Sequence, residues 1–366
     1  MNALKLLEFP ILIQHLILKS MSKSEVLCLS FVSLRTKEII RTVSWKAIGI
    51  FYDFRREDKK PQFILELPDD DYKVTLISFD FLAKMHRGLK RYKMMEDGNV
   101  FNFRVSFDST EGEPMLEWIF EDYIRDLSFE IMHCYLCNLF KAPNDLQLLI
   151  NREIAKEFPF ERDVKNVFLD GNYVDSEDIN KFFDKVEVSN CIWIRSLIQD
   201  DDLRENSNVF KSNTLHISNS RNLKPNNYNK FQGIHAVFSF APVKEKDLVA
   251  FIYHWKESKN TKLQSMVIHS SSVFRHPEYV KSQFIPIEWD PATRPSHYEI
   301  KSAMVKLLPP QLTLFDCTKG FDIRRKDGRL ATVFIERSIF AFLVWSGNEV
   351  QPTFPDNRNF NRPHFT

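Results

Sequence analysis

From Leu7 to Val43, apolar residues recur at every third or fourth position, which is the period of an amphipathic helix. A first helix is predicted between residues 12 and 21, after a proline that suits the first turn of a helix. A second helix, capped by Ser22 or Ser24, and a third over Thr36 to Val43 are predicted to follow. A segment of about 40 residues rarely buries its apolar side chains alone. We therefore expect this segment to dock onto another protein.

After Trp45 the pattern changes to short apolar runs that partly alternate and that Pro, Asp and Gly separate. Such runs predict β-strands. They are AIGIFYDF, QFILELP, YKVTLISFDF and VFNFRVSFD. The stretch from Met115 to Phe140 follows them and predicts a helix with a break.

The middle of the chain carries strand-like runs separated by about 20 to 30 residues, a spacing typical of leucine-rich β/α repeats. The runs lie at 167–169, 192–194, 215–217, 237–240 and 266–268. Helices are predicted over Ser176 to Val186 and Glu245 to Trp255. An ordinary α+β domain explains the runs equally well, because the sequence has no strict LxxLxL consensus.

Near its end the chain has the pattern of an antiparallel hairpin on an Asp-Gly turn, over Phe321 to Glu336, with a third strand over Ser338 to Trp345. Residues 347–366 are rich in Pro and Asn and are predicted to be disordered. The predicted fold class is α+β. A short helical segment precedes a strand-rich, irregular leucine-rich-repeat-like β/α domain that ends in the hairpin.

Composition narrows the possible functions. Lys plus Arg (50) nearly equals Asp plus Glu (49), so no overall field favours nucleic acid or an anionic membrane. No apolar run approaches the roughly 20 residues of a membrane span. The five scattered cysteines and the lack of an Asn-x-Ser/Thr sequon favour a reducing intracellular compartment, cytoplasmic or nuclear.

The nine glycines are too widely spaced for the common nucleotide and hydrolase motifs. GxGxxG, the Walker GxxxxGK and GxSxG each need closer glycines, because their backbone must approach a ligand. No His is followed by Glu, which excludes HExxH. We therefore expect no enzyme, no catalytic residue and no cofactor.

Three kinds of cluster are candidate sites. The first, His133-Cys134-Tyr135-Leu136-Cys137, resembles half of a zinc site, but it has no second pair and its members share a helix face. The acidic runs 69–71 and 200–202 lack the pattern of an EF-hand and are typical of loops. We expect no metal.

The basic hairpin cluster consists of Arg324, Arg325, Lys326 and Arg329. It could bind an acidic or phosphorylated substrate, or it could be a solvated turn.

Several stretches together resemble the nematode F-box proteins that carry a type-2 F-box-associated domain. The F-box resemblance lies in Phe9-Pro10, the Ile13–Ile17 stripe, Leu27-Cys28-Leu29-Ser30-Phe31 and Ser33–Lys37, with Phe-Pro in place of the usual leucine-proline. The resemblance to the associated domain lies in KDLVAFIYHW at 246–255, KLQSMVI at 262–268, FDIRRKDG at 321–328 and Ala331-Thr332-Val333.

The resemblance implies a non-catalytic substrate-recognition subunit of a Skp–cullin–F-box ubiquitin ligase. Its F-box would bind a Skp-type adaptor, and through it a cullin, while the C-terminal domain would bind an unknown protein substrate. The implied adaptor-binding residues are Phe9, Pro10, Ile13, Leu16, Ile17, Met21, Leu27, Leu29 and Phe31. The implied division is 1–45 F-box, 46–140 strand-rich segment and helix, 141–346 recognition domain and 347–366 tail. The alternative is an interaction scaffold whose N-terminal helices only cap the fold.

Overall fold

A computed structural model describes residues 6–55, 61–67, 74–82, 91–96, 99–108, 115–121, 125–157, 162–199, 203–291, 294–301 and 308–345. The chain divides into two compact units, of which one comprises 1–199 with 207–209 and the other 200–206 with 210–366. The predicted tail at 347–366 and the acidic runs at 69–71 and 200–202 lie outside the described residues. The predicted boundaries at 45 and 140 stay predictions.

Three short helices open the first unit: α1 (Ile11–Ser20), α2 (Lys23–Ser30) and α3 (Leu34–Thr42). Its strands are β1 (Gly49–Asp53), β2 (Gln62–Glu66), β3 (Val74–Leu82), β4 (Arg91–Glu96), β5 (Asn99–Asp108), β6 (Met115–Glu121), β7 (Leu146–Ile150), β8 (Arg162–Leu169), β9 (Tyr173–Asp175), β10 (Val186–Ile194) and β11 (Leu197–Gln199). Its later helices are α4 (Arg125–Phe140), α5 (Arg152–Glu157) and α6 (Ser176–Lys185).

The main sheet of the first unit is mixed, with the order β10-β8-β7-β1-β2-β3-β6-β5-β4. Strands β1, β7, β8 and β10 are parallel neighbours. In the chain, α5 connects β7 to β8, and the short strand β9 followed by α6 connects β8 to β10. This arrangement is the one that stacked β/α units produce.

The second unit contains the strands β12 (Thr214–Ile217), β13 (His235–Ala241), β14 (Ser265–Ser270), β15 (His297–Glu299), β16 (Leu314–Asp316), β17 (Phe321–Arg324), β18 (Leu330–Glu336) and β19 (Ile339–Val344). Its helices are α7 (Glu245–Glu257) and α8 (Pro277–Ser282). The sheet order is β12-β13-β14-β19-β18-β17. The first three strands are parallel and the last three pair antiparallel. The predicted C-terminal hairpin and its third strand are thus confirmed, and the fold class is α+β.

The structure corrects one predicted element. Residues Met115–Glu121 form strand β6 rather than the start of a helix, and the helix begins only at Arg125. Strand β6 lies between β3 and β5, which supply its backbone hydrogen bonds. Strand β5 immediately precedes β6 in the chain, whereas β3 lies two strands further back. Pairing with both strands overrides the local helical spacing. Strand β4, in a charged stretch, had not been predicted.

Three side-chain amides form a ladder across the parallel strands of the first unit. Asn190 Nδ2 donates to Asn166 Oδ1 at 2.8 Å, and Asn166 Nδ2 donates to Gln147 Oε1 at 2.7 Å. The amide of Gln147 then reaches Gly49, where a Cβ atom would lie 2.2 Å from Gln147 Nε2. The ladder therefore links β10, β8 and β7 and ends where β1 has no side chain.

None of the helices that the structure describes has the length and apolar character needed to cross a bilayer.

A buried ion pair closes the core of the second unit. Arg294 Nε and Nη2 donate to the two carboxylate oxygens of Asp322 at 2.5 and 2.6 Å, and both side chains are 2% exposed. Thr332 Oγ1 donates to Asp322 Oδ1 at 2.7 Å and accepts from Trp345 Nε1 at 2.8 Å. The pair thus joins β17, β18 and the end of β19.

Because two histidines of the second unit are buried, we predict that acid destabilises this unit. Desolvation lowers the pKa of His216 and of His235 from 6.5 to about 4, so both stay neutral in the folded chain. As the pH falls, these two histidines are protonated in the unfolded chain near pH 6.5, before they are protonated in the folded chain. The folded state is therefore fully stable above about pH 6.5 and loses part of that stability as the pH falls toward 4. We expect the free energy of unfolding to fall by about 1–2 kcal/mol per histidine between pH 7 and pH 5.

Urea unfolding at several pH values measures this effect. The double variant His216→Asn with His235→Asn serves as the comparison, because its unfolded state can no longer take up these two protons. Its stability should depend less steeply on pH between 7 and 5 than that of the parent chain. Equal slopes for the two proteins would contradict the assignment.

Candidate interaction surfaces

Helix α1 attaches to the first unit through one side only. Leu18 has no exposed surface and Gln14 is 6% exposed, so these residues form the inward side. Gln14 Nε2 donates to Phe9 O at 2.6 Å, which fixes the chain where it enters the helix. His15 Nε2 and Thr42 Oγ1 of α3 share a hydrogen bond of 2.8 Å. The helix is therefore held in place by Leu18, Gln14 and His15.

The opposite side of α1 is also apolar. Leu12 is 67% exposed and Leu16, one turn further on, is 57% exposed. We define the outer α1 face as Leu12, Ile13 and Leu16, all of which are exposed. Phe9 and Ile11, at the N-terminal end of the helix, are exposed as well. A surface helix normally turns polar residues to water. Because α1 is held in place by its inward side, its exposed apolar face is a candidate surface for binding a partner protein.

A second exposed apolar pair lies at the turn between α2 and α3. Val32 is 73% exposed and Leu34 is 82% exposed. Side-chain caps define the starts of both helices. Glu25 N donates to Ser22 Oγ at 3.2 Å while Ser22 N donates to Glu25 Oε2 at 2.9 Å, a capping box that confirms Ser22 as the cap. Ser33 Oγ caps α3 by accepting from the backbone of its first turn.

Helices α2 and α3 use their other sides to pack on the rest of the first unit. Tyr135 of α4 stacks on Phe31 with ring centroids 4.9 Å apart and shares a buried 2.8 Å hydrogen bond with Ser30 Oγ. Lys37 Nζ lies 4.2 Å from the centre of the same ring. Ser24 Oγ donates to Leu76 O of β3 at 3.0 Å. These contacts fix the helices that carry the exposed apolar residues.

The structure divides the nine predicted adaptor-binding residues by their exposure. Phe9, Pro10, Ile13 and Leu16 are exposed, whereas Ile17, Met21, Leu29 and Phe31 are half-buried. Leu27 has no exposed surface. It therefore packs in the core of the helical segment rather than on its exposed surface, and its assignment as an adaptor-binding residue stays a prediction.

Four exposed apolar residues were missed by the sequence reasoning: Ile11, Leu12, Val32 and Leu34. Leu12 could have been found, because it lies four positions before Leu16 and so shares its side of the helix. The sequence places apolar residues on every side of α1, which hides the inward side. Only the contact with α3 shows which side is inward.

The basic hairpin cluster is largely paired within the second unit. Arg325 is 5% exposed, its guanidinium donates to both oxygens of Asp327 and to Asn260 O, and it lies 4.8 Å from the ring centre of Trp255. The hydrogen bond from Arg325 lowers the pKa of Asp327 to about 2. These contacts hold Arg325 within the second unit, and its assignment as a substrate-binding residue stays a prediction.

The other three basic residues remain at the surface. Lys326 Nζ lies 3.0 Å from Glu257 Oε2, and the lysine side chain is 79% exposed. Arg329 donates to Thr261 O and lies 3.5 Å from Asp327 Oδ2. Arg324 is exposed on β17. The hairpin therefore offers scattered charges rather than one anion-binding cluster.

The cluster from His133 to Cys137, which resembles half of a zinc site in sequence, lies on helix α4. Cys137 Sγ lies 3.5 Å from His133 Nε2, one turn earlier on α4, and donates to Pro143 O. Burial raises the pKa of the Cys137 thiol to about 12, so it stays protonated. Within the described ranges, no group of three or more His, Cys, Asp or Glu side chains could hold a metal ion.

The chain is similar to proteins of Caenorhabditis elegans. One, named uncharacterized protein F59B2.8, is 21% identical over 381 aligned residues, which cover 97% of this chain and 79% of the relative. Another, uncharacterized protein F59B2.9, is 24% identical over 174 residues, which cover 46% of this chain and 38% of the relative. No protein-family model and no solved structure matches the chain. These relatives are consistent with a nematode-specific family.

Proposed function

We propose that this chain is the substrate-recognition subunit of a Skp–cullin–F-box ubiquitin ligase. The observation that carries the proposal is the outer α1 face, which leaves Leu12 and Leu16 more than half exposed on a fixed helix. Residues spaced by one helical turn are the anchors of helix-in-groove docking. The resemblance of this segment to an F-box identifies the expected partner as a Skp-type adaptor.

In this proposal the chain performs no chemistry itself. It holds a protein substrate close to ubiquitin that a cullin-bound enzyme carries, and so raises the effective concentration of one for the other. The proposed setting is intracellular, cytoplasmic or nuclear. All five cysteines are free, which suits a reducing compartment.

The contacts of Tyr135 favour a second candidate, in which the helices only cap the strand-rich domain. Phe31, Ser30 and Lys37 all contact this one side chain. In that case the protein is an interaction scaffold outside a ligase, and the outer α1 face has no adaptor. The two candidates differ in whether the exposed residues of α1 matter for binding a Skp-type adaptor.

The test is co-purification of the full chain with a nematode Skp-type adaptor, compared with the double variant Leu12→Asp with Leu16→Asp. We expect the double variant to bind at least about tenfold more weakly, because a few apolar anchors carry most of the affinity of an interface. Its thermal unfolding should be unchanged, since both side chains are exposed.

The matched control is Val273→Asp, which places the same charge at an apolar residue of the second unit that is 64% exposed. It should bind the adaptor like the parent chain. If the parent chain does not bind the adaptor, or if all three proteins bind it equally, the ligase proposal fails and the scaffold is favoured.

A further inference from the structure

The carboxyl ends of three parallel strands meet at one edge of the second unit. Strand β13 pairs in parallel with both β12 and β14. The three strands end at Ile217, Ala241 and Ser270. In sheets of parallel strands, ligands commonly bind outside the carboxyl ends, where loops bring side chains from separate strands together. This edge is therefore the first place to look for a binding site in the second unit.

The central strand of this edge carries an exposed aromatic residue in an unusual backbone conformation. Phe240 has a φ of +56°, in the left-handed region that bulky residues rarely adopt. It is the extra residue of a β-bulge, since Ser239 lies opposite His269 whereas Ala241 lies opposite Ser270. The Phe240 side chain is 42% exposed. The bulge therefore turns an aromatic ring toward solvent.

Hydrogen bonds on both sides of Phe240 hold this conformation. Ser220 N and Ser220 Oγ donate to Ser239 O at 2.9 and 2.7 Å. Ser271 N and Ser271 Oγ donate to Ala241 O at 2.9 and 3.2 Å. Strained residues persist only where the surroundings fix them, and they concentrate at active sites and ligand contacts. The exposed position of the ring is thus determined by the backbone around it.

A cationic side chain and an imidazole flank the ring. Arg221 Cζ lies 5.3 Å from the ring centre of Phe240, and the His269 ring lies 5.6 Å from it. Arg221 is exposed and has no carboxylate partner among the residues that the structure describes. We define the Phe240 cluster as Arg221, Phe240 and His269. Aromatic residues and arginine are the side chains most enriched at protein interfaces.

More basic side chains lie along the same edge. The turn between β18 and β19 adjoins the end of β14, because β14 and β19 are paired. Arg337 in this turn accepts a 2.8 Å hydrogen bond at its carbonyl from Phe274 N, and Arg275 follows Phe274. Lys244 and Lys246 lie where α7 begins, after β13. All four basic side chains are exposed.

The carboxylates of these segments do not cancel this charge. Glu245 and Asp247, in the first turn of α7, are half-buried and each accepts a 2.9 Å hydrogen bond from a backbone N–H group. Glu278 of α8 and Glu336 of β18 are exposed. Among the described residues of these segments, exposed basic side chains therefore outnumber exposed carboxylates. The edge is complementary in charge to an acidic partner.

We propose that the Phe240 cluster binds an acidic segment of a partner protein. An apolar side chain of the segment packs on the exposed part of the Phe240 ring, and a neighbouring carboxylate pairs with Arg221. A nucleic acid fits less well, because its binding needs many phosphate contacts and the chain has 50 Lys plus Arg against 49 Asp plus Glu. The inference rests on the proposed function only where it identifies the partner as the substrate of the ligase.

The test uses a short fluorescein-labelled peptide in which glutamates flank a central phenylalanine, and fluorescence anisotropy with the full chain. We expect a dissociation constant on the order of 0.1 mM. Affinity should fall as salt is added, because exposed charges are screened. A peptide with lysines in place of the glutamates should bind at least about tenfold more weakly. A labelled oligouridine strand should also bind more weakly than the glutamate peptide.

Two variants test the residues of the cluster. Phe240→Gly should weaken binding of the glutamate peptide at least about fivefold. Its thermal unfolding midpoint should be equal or higher, because glycine adopts the positive φ without strain. A ring that only packs would instead lower the midpoint. Arg221→Gln should weaken binding about two- to fivefold. It changes an exposed side chain, so it tests the site even if Phe240→Gly does not fold.

The matched controls are Ile285→Ala and Lys262→Gln. Ile285 is 89% exposed, and Lys262 is an exposed residue just before β14, at the opposite end of that strand. Both should bind the glutamate peptide like the parent chain. The inference is overturned if the parent chain does not bind this peptide, binds the two peptides equally, or binds oligouridine more tightly. Binding by Phe240→Gly and Arg221→Gln equal to that of the parent chain also overturns it.

Binding of the Skp-type adaptor is measured separately on the same proteins. Peptide binding without adaptor binding refutes only the ligase. Adaptor binding without peptide binding refutes only the site at the Phe240 cluster.

Discussion

Replacing Asp322 with alanine is expected to lower the free energy of unfolding by about 3–5 kcal/mol, the usual cost of leaving one buried charge unpaired. Arg294 would lose both of its hydrogen bonds to the carboxylate while remaining 2% exposed. Thr332 would lose its acceptor as well. Chemical unfolding followed by tryptophan fluorescence measures the change, because Trp345 belongs to the same network.

The variant Arg294→Met with Asp322→Leu shows whether the unpaired charge is the cause. Arg294 Nη1 has no hydrogen-bond partner in the described part of the chain, so the buried pair is not ideally satisfied. Apolar residues of similar size often replace such a pair without loss, and the double variant should recover most of the stability. Glu336→Ala, exposed on β18, is the control and should change little. A double variant as unstable as Asp322→Ala would show that packing, not charge, is responsible.

Replacing Gly233 with alanine is expected to destabilise the second unit by about 2–4 kcal/mol. A Cβ atom at this position would lie 2.0 Å from Ser212 O and 2.9 Å from Asn213 O, both of which are backbone atoms. The two segments are joined by hydrogen bonds, for example from Ile234 N to Asn213 O at 2.7 Å. The backbone cannot move away without breaking these bonds.

Gly328 provides the contrast for this second prediction. Its φ of +89° places it in the left-handed region, and nothing lies within 4 Å of a Cβ atom built there. Asparagine tolerates this conformation, so Gly328→Asn should cost about 1 kcal/mol or less. Urea unfolding of the two variants and the parent chain checks both values. Equal losses would show that close backbone approach is not what requires Gly233.

Elements whose signals are local were predicted well from the sequence. The cap at Ser22 needs only Glu25 three residues later, and the Asp327-Gly328 turn needs only its neighbours. Helices α6 and α7 carry apolar residues at helical spacing and begin at the predicted residues, Ser176 and Glu245. In each case the information that determines the structure lies within a few residues of the element.

Features that depend on pairing or packing with other elements were missed. Met115–Glu121 is a strand because β3 and β5 lie on either side of it. Arg325 is buried because Trp255 and Asn260, from another part of the chain, receive it. A basic hairpin looks like a surface cluster until these partners are known.

The two sides of the N-terminal helical segment have separate roles in the proposal. The side around Phe31 and Ser30 attaches to Tyr135 and sets the position of the helices. The outer α1 face remains exposed and supplies the apolar anchors. A substitution on the first side is expected to act through folding, whereas one on the second acts through binding.

The amide ladder determines where this chain can change in length. A residue inserted within β8 would turn Asn166 to the opposite face of the strand, because side chains alternate along a strand. Both of its bonds, to Gln147 and to Asn190, would then be lost at once. A residue inserted in the connection around α6 leaves the ladder intact. Insertions and deletions among relatives should therefore fall between these strands and not within them.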